Sequence, residues 1–132
     1  MKENNSEWKV WLQYSKEDLD CAIALSHTKE QFPRNVCYLC QQSSEKALKA
    51  IYIFLNLPFQ KKHDLDLLFN DLPNDYKVNL SLLGLTELTE WAIEVRYPGD
   101  FTLPDEQEMN ESIKFAKHNY VAIIDSLTNK SK

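Results

Sequence analysis

Glycine is scarce in this 132-residue chain, with only Gly84 and Gly99 present. Strings of tight hairpins need glycines at their turns, and phosphate-cradling loops need several close together, so the composition argues against both. Cysteine is also sparse. Three residues are an odd number, which argues against a complete disulfide framework and points to a reducing compartment. No Gly-x-Ser-x-Gly, His-Glu-x-x-His or phosphate-loop pattern occurs. The longest apolar run, Ala50 to Leu55, is far too short to span a bilayer. The opening Met-Lys-Glu-Asn-Asn-Ser-Glu has no apolar signal core. Together these absences predict a soluble, cytoplasmic protein without a membrane partner. Excess positive charge is missing too: the net charge of −5 disfavours non-specific binding to long nucleic acid.

A composition that is 43% hydrophobic and 27% charged is that of a globular chain rather than a disordered one. Its length suits one domain over residues 1–132, burying roughly two-thirds of the unfolded surface without help from metals or disulfides. The apolar period is helical throughout. A first helix is expected from Ser6, a capping residue, to Lys29, with Trp8, Trp11, Leu12, Leu19, Ala22 and Ile23 on one stripe. Ser15 falls on the same stripe. Pro33 opens a second helix, expected to run to Leu57 and to close at Pro58. Its stripe is Cys37, Cys40, Ser44, Ala47, Leu48, Ile51 and Leu55. A short helix over His63–Leu72 is followed by a turn at Pro73-Asn74-Asp75. A fourth long helix is expected from Leu80 to Arg96, broken by Tyr97-Pro98-Gly99-Asp100. The last starts near Pro104, with Asp105 and Glu106 in its first turn, where the helix dipole favours anions. Its stripe is Met109, Ile113, Ala116, Tyr120, Ile123 and Leu127, and its tail from Asn129 is expected to fray. The prediction is an all-α bundle of four long helices and one short one.

Polar residues mark the second helix. With Cys37 set at zero, ideal geometry puts Ser44 at roughly 340°, Leu48 at roughly 20°, Gln41 at roughly 40° and Glu45 at roughly 80°. Gln41 therefore lies inside the apolar stripe and Glu45 at its border. An unmatched buried amide or carboxylate costs on the order of 1–3 kcal/mol or more, so both need partners. Two readings follow: a polar brace between helices, or a shared site that orients Arg96. Arg96 and His63 are the cations the sequence offers to Glu45. Arg96, in the last turn before Pro98, can complement the helix dipole or fork onto a phosphate beside Tyr97. His63 can be a hydrogen-bonded strut or a proton carrier near neutral pH. Lys46 and Lys49 belong to a locally basic stretch and read as a solvated face or as a partner or phosphate surface. Cys37 and Cys40 form a lone CxxC inside a helix, on the apolar stripe, which fits core thiols rather than a metal or redox pair. No metal or cofactor is expected.

The string Gln41-Gln-Ser-Ser-Glu-Lys-Ala-Leu-Lys-Ala50, then Lys62-His63-Asp64-Leu65, then Arg96-Tyr97-Pro98, resembles the HEPN domain family. The resemblance runs from Trp11 into the last helix. It implies an up-and-down bundle that forms a homodimer, and a prokaryotic protein paired with a minimal nucleotidyltransferase in a toxin–antitoxin or nucleotide-binding module. It implies, for many members, a metal-independent ribonuclease built on an Arg-x(4–6)-His motif. Arg96 matches the arginine, but Phe101, Thr102 and Leu103 stand where the histidine belongs. The reading is therefore a non-catalytic module that binds a nucleotide, an RNA segment or a partner through Arg96, Tyr97, His63, Lys46 and Lys49, braced by Gln41 and Glu45. The alternatives are a divergent ribonuclease toxin and a structural dimeric scaffold.

Overall fold

The computed structural model describes residues 4–59, 65–77, 80 and 103–130. Among these, every regular element is helical: α1 (Asn4–Ser26), α2 (Pro33–Leu55), α3 (Leu65–Asn70), a 3-10 turn (Asn74–Tyr76) and α4 (Glu106–Lys130). The helix expected over Leu80–Arg96 and the break after it lie outside the described residues, apart from Leu80.

Local chemistry sets the helix ends. Ser6 sits inside the first turn of α1, not at its cap. The helix stops at Ser26, short of Lys29, because hydroxyls take over its last carbonyls. Ser26 Oγ donates to Ile23 O at 2.7 Å, and Thr28 Oγ1 to Leu25 O at 2.7 Å. The chain then reverses through Gln31 and Phe32, both left-handed at φ 60° and 51°. Non-glycine residues there cost about 1–3 kcal/mol each, so the surroundings must hold them. Gln31 Nε2 does so, donating to Ser26 O at 3.4 Å and to Glu106 on α4 at 3.2 Å.

At its far end α2 closes at Leu55, before Pro58 is reached. Asn56 turns left-handed, its N–H bonds Ile53 O at 3.1 Å, and Leu57 N–H bonds Tyr52 O at 2.9 Å. This is a Schellman cap, with asparagine in the place glycine usually takes. Helix α4 opens on a reciprocal cap: Glu108 N–H donates to Asp105 Oδ1 at 2.8 Å, and Asp105 N–H to Glu108 Oε1 at 3.0 Å. Asp105 is thus the cap, and Glu106 the first helical residue. The helix continues through Asn129 and Lys130, where the sequence predicts fraying. Lys130 Nζ lies 3.7 Å from the Tyr76 ring centroid, tying this end to the 3-10 turn.

Helix α2 is the central element. At roughly 100° per residue its buried positions cover about 220° of its circumference, more than one stripe. Helix α1 packs antiparallel on one side, with Trp8 edge-on to Phe54 at 5.4 Å between centroids. Helix α4 runs parallel to α2 on another: Gln31 meets Glu106 at one end, and Ser112 Oγ approaches Cys37 Sγ at 3.4 Å. Ile51 shares a crevice with Ala122 and Ile123 towards the other end. Helix α3 buries Leu65 and Leu68 against α2, and the Tyr52 hydroxyl donates to Leu68 O.

The α1–α2 seam is close because small residues line it. Ser15 Oγ donates to Ser43 O at 2.7 Å and Ser43 Oγ to Ser15 O at 2.8 Å, with the two hydroxyls 3.1 Å apart. Ala22, Ala47 and Ala50 are fully buried as well. Each serine thus satisfies its hydroxyl on the opposite backbone, which is possible only when the helices nearly touch.

Candidate functional site

Gln41 and Glu45 are both buried, at 0% and 3% exposure, and the structure joins them directly. Gln41 Nε2 donates to Glu45 Oε1 at 3.1 Å. Gln42 Nε2 donates to Gln41 Oε1 at 2.8 Å, which extends the chain to the half-buried edge of the helix. On the other carboxylate oxygen, Lys49 Nζ donates at 2.8 Å. Gln42, Gln41, Glu45 and Lys49 therefore form one polar line along a single side of α2. Ser44 Oγ, buried nearby, has no hydrogen-bond partner among the described residues.

Lys49 reads from the sequence as part of a solvated or ligand-facing surface; in the fold its ammonium is pulled inward. Its side chain is 12% exposed and that of Glu45 is 5% exposed. The Trp11 and Phe59 rings lie 5.9 and 5.5 Å from Nζ, so the charge is held by a carboxylate and two ring faces at once. Trp11 and Phe59 are themselves edge-on at 6.3 Å, and Phe59 leans on Tyr52 at 5.7 Å. An ion pair in this setting loses its water, and the extra donors and ring faces offset that cost. Lys46 behaves differently. It leaves this line and crosses to α1, where it meets Asp18 at 2.6 Å, with both side chains part-exposed. The two lysines therefore do not form one basic patch, and each has a carboxylate of its own.

The thiols are inert. Cys37 and Cys40 are fully buried. Burial pushes the Cys37 thiol up to about 11, against the opposing effect of the Ser112 hydroxyl bond. Cys40 is raised further by burial, and then by its neighbour Cys37. Neither forms a thiolate at neutral pH, so neither is a nucleophile or ligand there. Among the described residues, no group of histidine, cysteine, aspartate and glutamate is placed to hold a metal ion. No helix among them is long and apolar enough to cross a membrane.

Arg96, Tyr97 and His63 lie outside the described residues. The residues that sequence reasoning missed are those acting across the chain: Trp11 and Phe59 around Lys49, Asp18 opposite Lys46, and Ser43 opposite Ser15. A helical wheel of α2 alone carries no signal for them. Ser112 and Asn119 are buried on α4, whereas Ile113 and Tyr120, which the apolar period favours, are only partly buried.

Comparison with curated proteins gives no match. Two solved structures share the fold. One is an archaeal HEPN homologue, ST0689, with a TM-score of 0.72 at 21% identity, covering 91% of this chain and 97% of that one. The other is TT1696 from Thermus thermophilus, with a TM-score of 0.76 at 21% identity, covering 92% and 98%. The model of the HEPN domain matches residues 8–121, a span that takes in α2, α3 and most of α1 and α4. This chain belongs to the HEPN domain family.

Proposed function

We propose that this HEPN protein is a non-catalytic module that binds a nucleotide or a short RNA segment through Arg96, in company with a minimal nucleotidyltransferase in the cytoplasm. The observation that carries the reading is the pairing of Arg96 with Phe101, Thr102 and Leu103, where an Arg-x(4–6)-His ribonuclease would have its histidine. Cleaving RNA through its 2′-hydroxyl needs a group to take that proton and one to give a proton to the leaving oxygen. A positioned acid or base contributes about 10²–10⁴-fold. An arginine supplies charge stabilisation for the phosphate and not proton transfer. Arg96 without the histidine therefore suits holding a phosphate better than breaking its ester.

Tyr97 and His63 are the proposed companions of Arg96 in the site. Lys46 and Lys49 act as flanking cations, their charge largely compensated by Asp18 and Glu45. Gln41 and Glu45 serve as the brace that keeps this side of α2 rigid.

The test is fluorescence titration of the purified protein with nucleotides and short single-stranded RNA, beside a cleavage assay on the same RNA. Saturable binding without cleavage, weakened at least tenfold by Arg96→Ala, is the expected outcome. RNA cleavage abolished by Arg96→Ala overturns the reading in favour of a ribonuclease. No binding by a folded protein, and no co-purifying nucleotidyltransferase, overturns it in favour of a scaffold.

A further inference from the structure

The ammonium of Lys49 rests in a corner whose walls do not depend on it. Glu45 supplies the anionic wall, with Oε2 2.8 Å from Nζ. The Trp11 and Phe59 rings supply two more, their centroids 5.9 and 5.5 Å from Nζ and their planes at 86° to each other. Each wall has a support other than Lys49. Gln41 Nε2 donates to Glu45 Oε1 at 3.1 Å, and Gln42 Nε2 holds Gln41 in turn. Phe59 leans on the Tyr52 ring at 5.7 Å, and the Tyr52 hydroxyl is tied to Leu68 O on α3. Trp11 belongs to α1, where it packs against the core.

An ordinary surface ion pair is built differently. The Lys46–Asp18 side chains are 28% and 20% exposed, against 12% and 5% for Lys49 and Glu45. With water largely excluded, ring faces and a carboxylate hold a cation more strongly than they do at an exposed site. Other occupants fit the corner less well. An apolar group would leave the Glu45 carboxylate buried without a cation. A hard metal ion takes a shell of about six oxygen ligands, which two rings cannot supply.

We infer that Glu45, Trp11 and Phe59 form a preorganised binding site for a primary alkylammonium, with Lys49 as its tethered ligand. The site recognises the head and not the stem. An N–H of the head donates to Glu45, and the ring faces take up the charge that remains. In the parent protein the tether holds the Lys49 ammonium at an effective concentration of about millimolar or higher, so free amines do not displace it. Neither Arg96 nor the function proposed above is needed for this site.

Truncation followed by chemical rescue tests it. Lys49→Ala removes the atoms that n-propylammonium would restore. Added n-propylammonium chloride should raise the melting temperature of Lys49→Ala along a saturable curve, measured against potassium chloride at equal ionic strength. The rise should be about 5 °C at about ten times the dissociation constant. The parent should not respond, and neither should Lys49→Met, whose stem fills the corner. Glu45→Gln/Lys49→Ala keeps the shape, loses the anion and should lose the rescue. Propyltrimethylammonium, which has no N–H to donate, should bind about tenfold more weakly. If Lys49→Ala is unfolded without amine, the same titration is read as recovery of its helical circular dichroism. Lys49→Ala that gains nothing from n-propylammonium, whether it starts folded or unfolded, overturns the inference. So does an equal gain in the parent or in Glu45→Gln/Lys49→Ala, which would assign the effect to the chain as a whole. Equal binding of the quaternary amine would assign the corner to the rings alone and overturn the inference as well.

Discussion

Replacing Ser43 by leucine should be among the most damaging changes a small residue of this protein can suffer. Ser43 is fully buried where α1 and α2 come closest. Its hydroxyl donates to Ser15 O, and its carbonyl receives the Ser15 hydroxyl. Leucine removes one donor, leaves the Ser15 carbonyl without that bond and forces extra carbon atoms between two backbones in contact. Overpacking costs about 1–3 kcal/mol. Each lost hydrogen bond adds about 1 kcal/mol. The sum is about 3 kcal/mol. For 132 residues the unfolding entropy is roughly 0.28 kcal/mol/K, so the melting temperature should fall by about 10 °C. Ser43→Ala keeps the space and loses only the hydroxyl, so it should cost about 1 kcal/mol, or about 3–4 °C. The Ser15→Ala/Ser43→Ala double variant should cost less than the two single losses combined, because the hydroxyls share one contact at 3.1 Å. Thermal and urea unfolding followed by circular dichroism measure the parent and the four variants, Ser15→Ala among them. The close seam is refuted if the leucine variant melts within a few degrees of the parent, or if alanine is as harmful as leucine.

Three further outcomes follow from the ion pairs, the buried titratable groups and the thiols. Lys49→Met strands the buried Glu45 carboxylate and should cost about 3 kcal/mol, whereas Lys46→Met, at the part-exposed Asp18 pair, should cost about 1 kcal/mol or less. Equal losses in urea midpoints would contradict the division between the two lysines. Cys37 and Tyr52 are raised on folding, from 9.0 to about 11 and from 10.0 to about 12, chiefly by burial. Each favours the protonated form in the folded state, so its contribution is intact below the unfolded value and is lost as pH rises through the folded one. Stability should therefore be flat near neutrality and fall between about pH 9 and pH 12. Of the three cysteines, only exposed Cys21 should react with a thiol reagent at about pH 8 in the native protein. Rapid labelling of Cys37 would contradict its burial.

Particular residues show how far the candidate site is legible in the sequence. Gln41 and Glu45 stand out because a 3.6-residue period carries an amide into an apolar stripe and a carboxylate to its border, where polarity demands a partner. Their partner cannot be read the same way. Glu45 meets Lys49 one turn along its own helix, and what draws Lys49 inward is Trp11 from α1 and Phe59 beyond the helix end. Lys46, three residues before Lys49, crosses to Asp18 instead. Helix ends show the same split. Pro33 announces a start and Asp105–Glu108 a cap, but the stop at Asn56 comes from a left-handed asparagine, ahead of Pro58, where the sequence predicts the close.

Local chemistry therefore determined much of this protein by itself: its helices from apolar periodicity, two of its starts from Pro33 and the Asp105–Glu108 cap, and its family from the Gln41–Ala50 string with His63 and Arg96. These are short-range properties that any window of sequence carries. Only the tertiary structure decided that α2 is buried on two sides and that α4 runs parallel to it. It also decided that serines bring α1 against α2, and that each lysine has its own carboxylate. Such facts depend on which residues distant in the chain come within a few ångströms, and a periodicity has no term for that distance. The scarcity of glycine set the pattern from the start: with few places for the backbone to turn freely, the fold was left to side chains meeting across long helices.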